Sequence, residues 1–175
     1  MAKAASQVIE FTGSVVRVAG RLIIRLPQEA SVGLPSRGQV AAAVTVGGQT
    51  AVTVVEPDGR RGHWLALDGS SLTEGAAVAV RIEPGTSWPE PIQPDDFAVA
   101  LTAAPDIGGL WDAITPMARW EWVRWIGATK NPDTRQRRIE VAIDKLRAGK
   151  RRPCCFDLSS CTDPELARSG KLIEA

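Results

Sequence analysis

The sequence predicts an α+β fold: an N-terminal small closed β-barrel of about six strands, followed by a C-terminal cluster of about four short helices. Three observations carry this. Between residues 7 and 84, short runs rich in Val and Ile roughly alternate apolar and polar side chains. Residues 84–95, PGTSWPEPIQPD, hold four prolines and cannot continue a strand ladder. Beyond them the apolar spacing becomes helical. The expected organisation is a barrel domain at 7–84, a proline-rich linker at 85–95, a helical domain at 96–152 and a cysteine-containing tail at 153–175.

The barrel strands read in order as QVIEFTGSVVRV, RLIIRL, QVAAAVTV, QTAVTVVEP, HWLAL and AAVAVRIE. Glycine-containing breaks separate them at 19–20, 47–48, 58–62 and 68–71. Gly47-Gly48 suits a two-residue hairpin turn, because glycine reaches positive φ at little steric cost. PQEASVGLPSRG, at 27–38, predicts a short helical turn and a loop. Six short strands at this spacing favour closure into a barrel over an open sheet.

In the second half, DDFAVALTAA predicts a helix stopped by Pro105, and DIGGLWDAI a second one weakened by its paired glycines. Thr115 before Pro116 is an N-cap followed by proline at the first helical position. Asn131 before Pro132 repeats the signal, and Gly149 supplies a stop.

Composition removes several function classes. The chain has 175 residues, 44% of them hydrophobic and 23% charged, enough for a real core. It contains no long uncharged apolar run and no apolar segment of secretory type near residue 1, so a cytoplasmic protein without membrane insertion is expected. Cys154, Cys155 and Cys161 read as free thiols of a reducing compartment. Adjacent cysteines rarely ligate one tetrahedral ion together and the second arm of a zinc motif is missing, so no metal is expected. His63 is the single histidine; it stands at a strand start, where a turn or surface role is expected. No phosphate-cradling glycine motif occurs. No cofactor and no catalytic residue is therefore assigned, and Asp95-Asp96 are read as helix-start acids that complement the dipole.

Charge is uneven. Residues 1–116 carry 8 basic and 12 acidic side chains, whereas 117–175 carry 13 and 8. Within 117–152 the balance is 11 to 4. On a helical wheel Ala118, Trp122, Val123, Trp125 and Ile126 form one core stripe. Trp120 falls outside it, one turn from Arg124, where a cation–π contact is expected; it is the tryptophan best placed for recognition. On the next helix Ile139, Ala142, Ile143 and Leu146 form the core stripe, and Arg135 shares their sector. A guanidinium there needs a partner. Two readings stand: a structural pair with Glu121 or Asp112, or an anion site built from Lys130, the first-turn N–H groups beside Thr134, and Arg135 and Arg138. Arg137, Glu140, Asp144 and Arg147 read as solvated outer face. An anionic ligand, an acidic protein surface or nucleic acid would each suit the basic stretch.

Residues 119–152 resemble the C-terminal segment of the YdeI/OmpD-associated family of bacterial proteins. Its pattern falls on Trp125, Ile126, Ala128, Lys130, Thr134, Arg135, Arg138 and Ile139. The first half resembles the small β-barrel domain of unknown function that commonly precedes that segment: RLIIRLPQEA and GHWLAL match its strands, while LDGSSLTEGAAVAV lacks the basic segment and Gly-Asp pair usual before its last strand. The resemblance implies a non-enzymatic role in protection against bacteriocins and cationic antimicrobial peptides, with contact to an outer-membrane porin. It implies no catalytic residues.

Overall fold

The computed structural model describes residues 7–153 and 162–174. The chain divides into two compact units, one made of residues 1–89 and 159–175 and the other of residues 90–158. The three cysteines lie outside the described residues.

In the first unit six antiparallel strands close into a barrel: β1 (Ile9–Val18), β2 (Arg21–Arg25), β3 (Val40–Val46), β4 (Gln49–Pro57), β5 (His63–Ala66) and β6 (Ala77–Pro84). Their order around it is β1-β2-β5-β4-β3-β6. A short helix, α1 (Gln28–Val32), follows β2. The β3–β4 hairpin turns at Gly47 and Gly48, with φ of 55° and 85° and Val46 paired to Gln49. Both values suit the twist of the flanking strands and favour glycine.

Cross-strand register shows which side chains go inside. Val15 pairs with Ile24, which pairs with Leu65, and all three are buried in the barrel interior with Val44, Val55, Val80 and Ile82. A Cβ at Gly13 would stand 2.5 Å from Ile24 Cγ2, so this inward position of β1 must stay bare for the interior to fill.

The neighbouring rungs point outward. Val16 pairs with Ile23 and Ile23 with Ala66, yet Ile23 and Trp64 are fully buried. What covers them is a C-terminal strap, residues 162–174, ending in a two-stranded hairpin of β7 (Ala167–Arg168) and β8 (Lys171–Leu172). Leu166 and Leu172 form a second core with Val18, Ile23 and Trp64. Polar contacts fix the strap. Trp64 Nε1 donates to Thr162 Oγ1 at 3.0 Å, and Leu172 N–H donates to Asp58 O at 3.0 Å. Arg60 and Arg25 each donate to a strap carbonyl, of Leu172 and Ile173, at 2.8 Å. Arg21 bridges Asp68 on the barrel to Asp163 on the strap.

His63 is a correction to the surface role expected of it: it is buried, with 1% exposure. Its Nε2 lies 3.1 Å from Gly38 O and its Nδ1 3.3 Å from Ser31 Oγ, so a neutral ring donates to the carbonyl and accepts from the hydroxyl. Local sequence does not reveal this, because both partners come from the segment between β2 and β3.

The second unit contains α2 (Asp95–Thr102), a 3₁₀ turn at Pro105–Ile107, α3 (Gly108–Ala113), α4 (Pro116–Gly127) and α5 (Pro132–Arg147). Thr115 Oγ1 accepts from Ala118 N–H at 3.2 Å and Asn131 Oδ1 from Thr134 N–H at 2.9 Å, so both capping signals act as the sequence indicates. At the far end of α5, Lys150 N–H reaches Lys145 O and Gly149 N–H reaches Leu146 O, with Gly149 at φ 77°. This Schellman closure stops the helix. The core joins Phe97, Ile107, Trp111, Trp122, Ile126, Ile139, Ala142 and Leu146. Phe97 and Trp111 meet edge to face, 5.2 Å between centroids. Among the described residues no helix is long and apolar enough to cross a membrane.

Leu172→Ala will destabilise the protein by about 2–5 kcal/mol, the usual cost of truncating a fully buried aliphatic side chain, as read by urea unfolding. A second prediction concerns His63. Burial holds its pKa below the ordinary value of 6.5, so the unfolded chain takes up the proton first. The contribution of the neutral ring is complete above that value and is lost as pH falls from it towards the folded-state pKa. Urea midpoints measured between pH 7.5 and 5 will fall with acidification, and His63→Gln will remove this part of the slope.

Candidate functional site

The site grows out of how α4 and α5 pack. Trp122 is fully buried, and its Nε1 donates to Arg151 O at 3.0 Å, which ties the chain beyond α5 to α4. Trp125 meets Trp122 edge to face at 5.8 Å, but sits at the margin of the core and is half-buried. Its outer face carries the Arg138 guanidinium, with Cζ 5.3 Å from the ring centroid; Arg138 Nη1 also donates to Trp125 O at 2.5 Å. The contact therefore orients the arginine as well as stabilising it.

A surface groove of about 410 Å³ opens beside this stack, lined by Trp125, Asp133, Thr134, Arg137, Arg138 and Val141. Of the residues singled out from the sequence, it brings Thr134 and Arg138 together. Trp125, Arg137 and Val141 were assigned elsewhere or passed over. The signal that points to them is the helical spacing Thr134, Arg138, Val141, in which one apolar residue interrupts a charged face.

The other singled-out residues stand apart. Trp120 is half-buried, with Arg124 Cζ 5.2 Å from its ring centroid, the cation–π contact that the spacing indicated. Lys130 is exposed in the connection between α4 and α5. Arg135 turns to α2 and forms a two-pronged pair with Asp96, Nε–Oδ2 at 2.5 Å and Nη2–Oδ1 at 2.9 Å. Its partner is thus neither Glu121, which pairs with Arg152 at 3.2 Å, nor Asp112. Asp96 in turn does more than complement a helix dipole. The Arg135 guanidinium holds its carboxyl below the ordinary range, against a smaller opposing effect of burial.

Backbone donors at the start of α5 are largely used. Pro132 has none, Thr134 N–H goes to Asn131 Oδ1 and Arg135 N–H to Asn131 O at 2.9 Å. Charge at this end is therefore presented by side chains rather than by a nest of free amides. Several other arginines are held by carboxylates of distant segments: Arg119 by Glu90 through two contacts of 2.7 and 2.6 Å, and Arg147 by Asp106 at 2.6 Å. Arg119 also donates to the carbonyls of Trp111, Asp112 and Ile114, closing the end of α3. A second groove, of about 450 Å³, is lined by Val141, Asp144, Lys145, Ala148, Lys150 and Arg152. Among the described residues, no group of three or more His, Cys, Asp or Glu side chains is placed to hold a metal ion.

Comparison with known families places these units. Residues 90–149 match the model of the family described as Bacteriocin-protection, YdeI or OmpD-Associated, and residues 11–82 match Domain of unknown function (DUF1905). The two matches fall in the order the resemblance implied and cover most of the chain. No curated protein matches the chain.

The Arg135–Asp96 pair is partly exposed, at 26% and 43% for the two side chains. A double-mutant cycle with Arg135→Met and Asp96→Asn will return a coupling of about 1 kcal/mol, the upper range for an exposed pair with two-pronged geometry. Because Asp96 is held more acidic in the folded state, that coupling is present above the unfolded pKa and fades as pH falls through the folded one.

Proposed function

We propose, from the match of residues 90–149 to the model of the family described as Bacteriocin-protection, YdeI or OmpD-Associated, that the chain is a non-enzymatic cytoplasmic binding protein of bacteriocin or antimicrobial-peptide tolerance. It takes an anionic ligand or an acidic protein surface on the α4–α5 face. The observation that carries this reading is the groove that Arg137 and Arg138 line with Trp125 and Val141, the Arg138 guanidinium lying over the Trp125 ring. Cations beside apolar side chains suit a partner with both carboxylate and apolar character. Thr134 and Arg138 contribute directly, and Lys130 adds an exposed positive charge in the connection that precedes α5. Arg135 contributes by fixing the start of α5 against α2, and Trp120 marks the flank of the same helix pair.

The sign of the charge also bears on mechanism. A surface of this kind repels a cationic peptide, so protection here runs through an acidic target rather than through capture of the peptide. Nucleic acid is the other reading, favoured by the excess of basic residues in 117–152. It is weakened by the internal pairing of Arg119, Arg135, Arg147 and Arg152, which leaves fewer cations for phosphates.

Calorimetric titration of the full chain with poly-glutamate and with a duplex oligonucleotide, each across a salt series, tests the choice. Poly-glutamate binding weakened roughly tenfold by Arg138→Glu supports the proposal. Preferential duplex binding that falls steeply with salt supports the nucleic-acid reading, and no binding of either removes both.

A further inference from the structure

Val141 lines both grooves on the helical unit. They are therefore successive parts of one trough along α5, from Asp133 and Thr134 through Arg137, Arg138 and Val141 to Lys145 and Ala148. These positions recur at three- and four-residue steps, so they lie on one face of the helix. The fifteen steps from Asp133 to Ala148, at 1.5 Å each, make the trough about 22 Å long.

We propose that this trough is a docking site for an acidic amphipathic helix of about four turns. The inference rests on reading the α4–α5 face as a binding surface, and it specifies both the shape and the chemistry of the partner. The trough's apolar lining residues are Trp125, Val141 and Ala148. Val141 and Ala148 are one heptad apart, the spacing at which a packed helix presents successive apolar side chains. The rims are cationic at both ends, with Arg137 and Arg138 near the start of α5 and Lys145 and Lys150 near its end, where Arg152 is already paired with Glu121 at 3.2 Å.

Neutralisation from within the unit is incomplete. Asp144 is engaged by Arg147 at 3.2 Å. Arg137 meets Glu140 only at 3.4 Å, with its side chain 76% exposed. No carboxylate stands within ion-pair distance of Lys145 or Lys150 among the described residues. A partner that places Leu-like side chains along the apolar lining and carboxylates against both rims answers all of these features. A phosphate backbone answers only the rims, since it has nothing apolar to lay on Trp125 and Val141.

The test uses the full chain labelled with ¹⁵N. The probes are a synthetic peptide of about 15 residues with Leu at helical spacing and Glu elsewhere, its scrambled counterpart, poly-glutamate and a duplex oligonucleotide. The designed peptide is expected to shift the Trp125 indole resonance and the amides of α5 along its whole length. It should bind at least tenfold more tightly than the scrambled one. Val141→Ser, or Ala148→Asn at an exposed position that does not threaten folding, should weaken it at least tenfold and poly-glutamate binding far less, because neither changes the charge of the surface.

Equal binding of the designed and scrambled peptides overturns the inference while leaving a simple anion-binding surface intact. Indifference to both substitutions overturns it in the same way. A duplex that displaces the peptide overturns it in favour of nucleic acid. If no anionic probe binds, the broader reading of the face falls as well.

Discussion

The helical unit depends on an indole that has nowhere to go but inward. Trp122 is fully enclosed, and its N–H would be stranded without an acceptor. The Arg151 carbonyl supplies one, and in doing so it brings the chain past α5 back to α4. With Trp122 seated among Ile126, Ile139, Ala142 and Leu146, the rotation of both helices about their axes is settled. Trp125, three residues on, then falls at the seam rather than the centre, and Arg138 comes to rest on its outer face. The cation over the indole is thus a result of core packing. Any ligand that uses it meets a surface whose geometry already exists.

The formal charge of the basic stretch overstates its field. Arginine and lysine divide the work. The planar forks of Arg119, Arg135 and Arg147 are matched to carboxylates from the start of the helical unit, α2 and the 3₁₀ turn. These pairs tie successive helices together with directional contacts. The lysines, point charges on flexible stems, are left to face solvent with Arg137. A reading based on net charge alone counts all of them as available, whereas the structure leaves a smaller set, spread from the connection before α5 to the residues just past its end.

Much of the barrel was legible because alternation and turn glycines are local signals. Where alternation failed, the failure carried information. The adjacent apolar pairs Val15-Val16, Ile23-Ile24 and Trp64-Leu65 put one side chain on each face of the sheet, which is affordable only where both faces are covered. Their cover was not legible. Residues 162–174 present few apolar positions, and nothing local links Leu172 to Trp64 across more than a hundred residues. His63 was misjudged for the same reason, since its burial depends on Ser31 and Gly38. For Arg135 the helical wheel gave the right sector and the need for a partner, but a wheel fixes an angle and not what faces it; the partner came from α2. The use of the Thr134 amide by Asn131 was legible, because the capping signal itself removes that donor from any ligand site. Of the groove, Thr134 and Arg138 were found, whereas Trp125 was not: a tryptophan at the edge of a core stripe looks the same in sequence as one at its centre.

The strap also sets an order of events during synthesis. A ribosome delivers all six barrel strands first, with Ile23 and Trp64 bare on the outside, and then the entire helical unit, before Leu166 and Leu172 emerge to cover them. The nascent barrel consequently waits with a greasy outer wall, a state open to chaperones and to unwanted association, until residues 162–174 seal it. The helices meanwhile have their whole sequence in hand. Synthesis of residues 162–174, rather than completion of the strands, is the step that finishes the first-made half of this molecule.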